Sequence, residues 1–137
     1  MSLNERVRCS ELHSSIMSAA EAAALIPTGA NVGMSGFTGA GYPKALPQAI
    51  AERAKAEHAA GKPYKINVWT GASTAAECDG VMAEADAIGQ RLPFNTDATT
   101  RKAINQGGID FIDMHLSHVA QHAWFGFLGP MNVAVIE

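Results

Sequence analysis

The sequence predicts an α/β fold: an open, mainly parallel sheet with helices packed on it. Three observations carry that reading. Short runs with strand-like patterning alternate with helical stretches along the whole chain, which is the order expected of a parallel sheet built from strand–helix units. The 137 residues make one domain's worth of chain, and 47% hydrophobic against 17% charged residues is a globular composition. Ala and Gly are abundant, and small residues suit close helix-on-sheet packing. No internal repeat or low-complexity linker divides the chain, so residues 1–137 read as a single α/β unit.

The elements follow in order. Ser18-Ala19-Ala20-Glu21 is a capping box, in which the Ser18 hydroxyl accepts from the Glu21 N–H and the Glu21 carboxylate reaches back to the Ser18 N–H. The helix it opens is expected to run to about Ile26, with Pro27 and Gly29 as stop signals. A strand at 31–35 leads into the segment Gly36-Phe37-Thr38-Gly39-Ala40-Gly41-Tyr42-Pro43. The next helix starts near Pro43 or Pro47, both tolerated in a first turn. Leu46, Ala49, Ile50, Arg53 and Ala54 give it one mostly apolar face, and Gly61 and Pro63 end it. Residues 65–70 alternate as a strand, with Ile66, Val68 and Thr70 on one face and Asn67 and Trp69 on the other. Thr74-Ala75-Ala76-Glu77 reads as a second capping box, opening a helix to about Ala85. A short strand at 87–92, a loop at 93–97, a helix capped by Asp97 and ending before Gly107-Gly108, a strand at 109–112, a helix at 117–125 and a strand at 132–136 complete the chain.

Charge and composition exclude several classes. Ten Lys+Arg against 13 Asp+Glu give a net charge of −3, the wrong sign for a dedicated nucleic-acid binder. No apolar run approaches the ~18 residues of a membrane span. Cys9 and Cys78 form no Cys-x-x-Cys pair, and the segment Met1-Ser2-Leu3-Asn4-Glu5-Arg6 has no apolar signal core. Both point to a reducing cytoplasm. The chain stops at Glu137 directly on an apolar strand, which suggests a fragment of something longer.

In an open α/β sheet, ligands bind beyond the carboxyl ends of the strands. Three predicted loops leave such ends: 36–42, 71–74 and 93–97. The glycines of the first allow backbone N–H groups to converge on an anionic oxygen. The loop matches neither a dinucleotide fingerprint nor a Walker A loop, and a tight turn with close packing explains it as well. Ser73 and Thr96 lie on the other two loops, where a hydroxyl alone reads as a cap or turn residue. Asn95 and Asp97 read the same way, and only convergence of the three loops promotes them. His115, His118 and His122 fall at i, i+3 and i+7. The outer two would stand about 10 Å apart on a helix, too far for one ion, so no metal site is assigned. Cys78 lies between Glu77 and Asp79, an acidic setting that raises a thiol's pKa and argues against a reactive thiolate. No nucleophile–base pair is evident, and no residue is assigned as catalytic.

Gly33-Met34-Ser35-Gly36-Phe37-Thr38-Gly39-Ala40-Gly41-Tyr42-Pro43-Lys44 resembles a segment of the acetyl-CoA hydrolase/transferase family, a group of class I CoA-transferases that includes succinyl-CoA:acetate CoA-transferase. Thr70-Gly71-Ala72-Ser73-Thr74, Pro93-Phe94-Asn95-Thr96-Asp97-Ala98-Thr99, Arg101, Ile104-Asn105, Asp113-Met114-His115-Leu116 and Asn132-Val133-Ala134-Val135-Ile136-Glu137 are similar to further family motifs, in the family's order. The resemblance runs from about Arg6 to Glu137. It implies the first part of the N-terminal domain of a two-domain CoA-transferase, whose catalytic glutamate lies in the second domain and outside this chain. It implies a substrate side of the site containing Ser73 and Thr96, with a wall formed by Gly36, Phe37, Thr38, Gly39, Ala40 and Gly41. It implies coenzyme A as acyl-CoA substrate, with no covalently bound cofactor. The implied partners are acyl-CoA, a small carboxylate and the remainder of the same chain, in a homo-oligomer. An acyl-CoA hydrolase of the same family, or a non-catalytic anion- or nucleotide-binding α/β module, are the alternatives.

Overall fold

The computed structural model describes residues 3–137. Met1 and Ser2, which open the segment read above as lacking a signal, lie outside them. A single helical turn, α1 (Leu3–Arg6), and a 3-10 turn at Ser10–Ser15 precede the sheet unit. Helix α2 (Ala19–Ala24) begins with both halves of the expected capping box: Glu21 N–H donates to Ser18 Oγ at 3.2 Å, and Ser18 N–H donates to Glu21 at 2.8 Å. Strand β1 (Asn31–Met34) follows, then α3 (Ala45–Ala59) and β2 (Ile66–Thr70). Helix α4 (Val81–Glu84) leads to β3 (Ile88–Leu92), α5 (Ala98–Asn105) to β4 (Asp110–Phe111), and α6 (Leu116–Trp124) to β5 (Val133–Val135).

The five strands form one sheet in the order β4-β3-β2-β1-β5, and every pairing is parallel. The chain steps in one direction from β1 to β4, then crosses back to place β5 on the far side of β1. A reversal of direction with right-handed crossovers puts the last helix on the opposite face of the sheet. Accordingly, α6 lies over Gly33 and Trp69, whereas Val32, Met34, Ile66 and Val68 face the core built with α2, α3 and α4. The reversal between β1 and β5 is a topological switch point, where the carboxyl ends of such a sheet open into a crevice.

The core centres on Val32, Val68, Ile66, Ile88, Ile50, Ala54 and Met82. The buried face of α3 is Pro47, Ile50, Ala51 and Ala54, with Leu46 and Ala49 at its edge. Arg53 belongs to that stripe for a polar reason: its guanidinium donates to the carbonyls of Ala23 at 2.6 Å and Ile26 at 2.7 Å, ending α2. Charged donors near a helix C-terminus satisfy carbonyls that have no partner in the helix.

One expected local structure does not form. Thr74 and Glu77 make no capping box: the chain enters α4 through a π turn at Ala76–Gly80, with Ala75 in the cap position. Both side chains are taken by tertiary partners. The Thr74 hydroxyl bonds across to the 93–97 loop, and Glu77 accepts from the Tyr42 phenol. The Ala75 N–H donates instead to the Asp79 carboxylate at 2.8 Å.

Candidate functional site

The loops after β1, β2 and β3 meet at the carboxyl edge of the sheet. The first turns sharply at Gly36, whose φ of +117° is open only to glycine. A Cβ there would stand 2.2 Å from Ser73 Oγ and 2.8 Å from Tyr42 N. Beyond it, Phe37 and Ala40 exchange backbone hydrogen bonds at 2.8 and 3.1 Å, with Thr38 at φ +50° between them. The Thr38 N–H donates to the Ala72 carbonyl at 3.2 Å, tying the first loop to the second. The N–H groups of Phe37 and Ala40 therefore serve the turn and that of Thr38 serves the second loop, and this leaves fewer backbone donors for an anion than the glycine content suggests.

Ser73 is completely buried beneath Gly36, and its hydroxyl donates to the Ser35 carbonyl at 3.1 Å. Its single proton thus has an acceptor within the protein. Thr96 is exposed, while its N–H donates to Thr74 Oγ1 at 3.2 Å. Asp97 caps α5 as expected, accepting from Thr100 N–H at 2.8 Å.

Below these loops lies a buried ion pair that sequence reasoning missed. Asp79 and Arg91 are both fully buried, with their nearest charged atoms 3.3 Å apart. Arg91 also donates to the Ser73 carbonyl at 2.7 Å and to that of Leu92. Asp79 accepts from Asn95 Nδ2 at 2.6 Å, Ala75 N–H at 2.8 Å and Thr74 Oγ1 at 3.1 Å. Burial pulls the Arg91 guanidinium below its ordinary pKa, and the Asp79 charge opposes that shift. A charged side chain next to Leu92 within a strand was the available signal, because such a charge is kept in a core only when paired.

The buried thiol of Cys78 is no thiolate nucleophile. Burial first, then the charge of Asp79, raises the Cys78 thiol to about 11, so it remains protonated at neutral pH. His115 caps α6 and lies 5.5 Å from His118, ring centre to ring centre, while His118 stacks on His122 at 6.1 Å. Among the described residues, no group of three His, Cys, Asp or Glu side chains could hold a metal ion. No helix among them is long and apolar enough to cross a membrane. Between the sheet and α6, an apolar cavity of about 390 Å³ opens beside Gly33, Trp69, Ala120 and Met131.

The geometry thus brings the 36–41 loop and Ser73 into direct contact and joins Thr96 to the same unit through Thr74. Comparison with known proteins gives this edge a context. The family model described as "Acetyl-CoA hydrolase/transferase N-terminal domain" matches residues 1–137. A propanoyl-CoA:succinate CoA transferase of Escherichia coli K12 is 53% identical over 121 residues, covering 88% of this chain and 25% of the relative. A succinyl-CoA:acetate CoA-transferase of Clostridium kluyveri is 38% identical over 133 residues, covering 97% of this chain and 24% of the relative. The chain therefore spans about a quarter of the length of these relatives. Among solved structures, an acyl-CoA transferase from Escherichia coli O157:H7 superposes with a TM-score of 0.64 at 16% identity, over 79% of this chain and 22% of that one. That likeness supports the fold.

Proposed function

Since the chain belongs to the acetyl-CoA hydrolase/transferase N-terminal domain family, we propose that the protein carrying it moves CoA between an acyl-CoA and a small carboxylic acid, and that this chain supplies the carboxylate side of the site. The observation that carries the reading is the union of three strand-end loops at one sheet edge, through Thr38 to Ala72 and Thr74 to Thr96, with Thr96 exposed.

The chemistry is nucleophilic. A glutamate outside this chain attacks the acyl-CoA thioester and expels the CoA thiolate, leaving a mixed anhydride. The thiolate then attacks the glutamyl carbonyl, releasing the first carboxylate and forming a glutamyl-CoA thioester. An incoming carboxylate runs the two steps in reverse. Such steps need donors aimed at carboxylate and tetrahedral oxygens. In our reading Thr96 donates its hydroxyl proton to a substrate carboxylate oxygen. Ser73 belongs to the same site but acts by holding the Gly36 turn against the second loop. The stretch Gly36, Phe37, Thr38, Gly39, Ala40 and Gly41 forms the pocket wall, with Phe37 presented to the substrate. Coenzyme A enters as substrate, with no covalent cofactor. The rest of the chain, including a second domain, completes the site in a cytoplasmic homo-oligomer.

The test is a CoA-exchange assay on the full-length protein. Succinyl-CoA plus acetate should yield acetyl-CoA faster than free CoA, and the isolated 137 residues should yield neither. Acid-independent release of CoA would favour the hydrolase reading. Turnover by the isolated chain, or no reaction of the full-length protein with any acyl-CoA, would overturn the proposal.

A further inference from the structure

We infer that Thr74, held by Asp79 and Arg91, is a positioning residue that sets where the Thr96 hydroxyl stands and so governs binding of the carboxylate substrate. The inference rests on the reading of Thr96 given above.

The Thr74 hydroxyl has one proton and two lone pairs, and the structure uses all three. It donates to Asp79 Oδ2 at 3.1 Å and accepts from the N–H groups of Thr96 at 3.2 Å and Asp97 at 3.1 Å, with a longer contact from Asn95 Nδ2 at 3.4 Å. A hydroxyl can rotate to suit several partners, so something must fix its direction. Asp79 does so. A carboxylate only accepts, and therefore compels the Thr74 proton toward it and leaves both lone pairs for the two amides. Asp79 is held in turn by Ala75 N–H, by Asn95 Nδ2 and by buried Arg91. Arg91 grips the second loop as well, through the Ser73 carbonyl at 2.7 Å.

Three successive residues of the third loop are thereby pinned: Asn95 to Asp79, and Thr96 and Asp97 to Thr74. Asp97 is pinned a second time by Thr100 at the start of α5. Close packing reinforces this, since a Cβ on Gly80 would stand only 3.0 Å from Asp97 Oδ2. Thr96 has a fixed backbone between two anchored neighbours and an exposed side chain, the arrangement of a preorganised donor. A buried ion pair adds little to net stability compared with apolar packing, so the gain here is in placement.

The experiment uses the full-length protein with Thr74→Val, which keeps the shape and removes the hydroxyl, and Thr74→Ser, which keeps the hydroxyl. KM is measured separately for the carboxylate and for the acyl-CoA, and amide hydrogen exchange is followed at Thr96 and Asp97. Because misplacing a binding group by an ångström costs up to about a hundredfold, Thr74→Val should raise the carboxylate KM roughly 10- to 100-fold. The acyl-CoA KM should stay within about twofold, and exchange at both amides should quicken. Thr74→Ser should restore all three. If Thr74→Val does not fold, Asn95→Ala replaces it, with an expected rise in carboxylate KM of about fivefold. Equal changes in both KM values, or an unchanged carboxylate KM with faster exchange, would overturn the inference. Absence of CoA transfer by the unsubstituted protein would refute the function reading instead. The exchange arm then tests the positioning alone: unchanged exchange in Thr74→Val overturns it, whereas faster exchange keeps Thr74 as the anchor of the loop while its role toward the carboxylate falls with the function reading.

Discussion

Replacing Gly36 by alanine should cost more than any other single-methyl addition in the glycine-rich loop. Three terms contribute. At φ +117° a side chain is forced into a region open only to glycine, a strain of about 1–3 kcal/mol. The added methyl also meets Ser73 Oγ at 2.2 Å, Tyr42 N at 2.8 Å and Tyr42 Cα at 2.9 Å, and overpacking of this kind costs about 1–3 kcal/mol. Ser73 can swing aside only by giving up its bond to the Ser35 carbonyl, a further ~1 kcal/mol. The Tyr42 contacts are to backbone and cannot be relieved by a rotamer. The total, about 3–7 kcal/mol, is a large part of the ~5–15 kcal/mol that stabilises a typical domain. For a chain of this size each kcal/mol lowers Tm by about 3–4 °C, so Gly36→Ala should melt at least about 9 °C below the parent. Two controls separate the terms. Gly29 has φ +78° and open space around it, so Gly29→Ala reports backbone strain alone, about 1 kcal/mol. Gly39 has open space and no positive φ, so Gly39→Ala should stay within about 0.5 kcal/mol of the parent. Urea and thermal unfolding of the three variants provide the measurement. A Gly36→Ala variant no less stable than Gly39→Ala would refute the packing argument for the loop.

Removing Arg91 leaves Asp79 buried without its cationic partner, so Arg91→Met should destabilise by about 3–5 kcal/mol in urea titration. The raised Cys78 pKa has a sign that can be checked. The buried thiol stays neutral to about pH 11 while the unfolded thiol ionises near 9, so its contribution to stability is complete below pH 9 and is lost as pH rises toward 11. The urea midpoint should fall across that window, and Cys78→Ala should flatten part of the fall. At neutral pH a thiol reagent should label exposed Cys9 promptly and buried Cys78 only on unfolding; equal labelling rates in the folded protein would contradict the burial.

Features that depend on neighbours in sequence were legible before the structure. The alternation of strands and helices follows from local patterning, the Ser18–Glu21 capping box and the Asp97 cap rest on contacts within three residues, and all three are present. The Thr74–Glu77 pattern has the same letters as a capping box and fails because both side chains find partners across the fold. Local chemistry could not reveal that competition. For the same reason Ser73 and Thr96 could be placed on strand-end loops, but not oriented. The close approach of Gly36 buries the Ser73 hydroxyl, whereas Thr96 is left at the surface. The Asp79–Arg91 pair spans twelve positions and two elements, so neither residue could be matched to the other from spacing. For Cys78 the direction of the shift was legible in its acidic neighbours, but its main cause, burial, required the core.

Acceptor titration of Thr96→Val in the full-length protein is the most direct test of the site. The hydroxyl is exposed at the edge where the three loops meet, so its loss should barely alter Tm. A hydrogen bond to a charged group is worth about 1.5–3 kcal/mol. At ~1.4 kcal/mol per decade, kcat/KM for the carboxylate acceptor should fall roughly 10- to 150-fold, with the KM for acyl-CoA little changed. Unchanged kcat/KM for every acceptor acid in a normally folded Thr96→Val protein would contradict the assignment of this edge to the carboxylate.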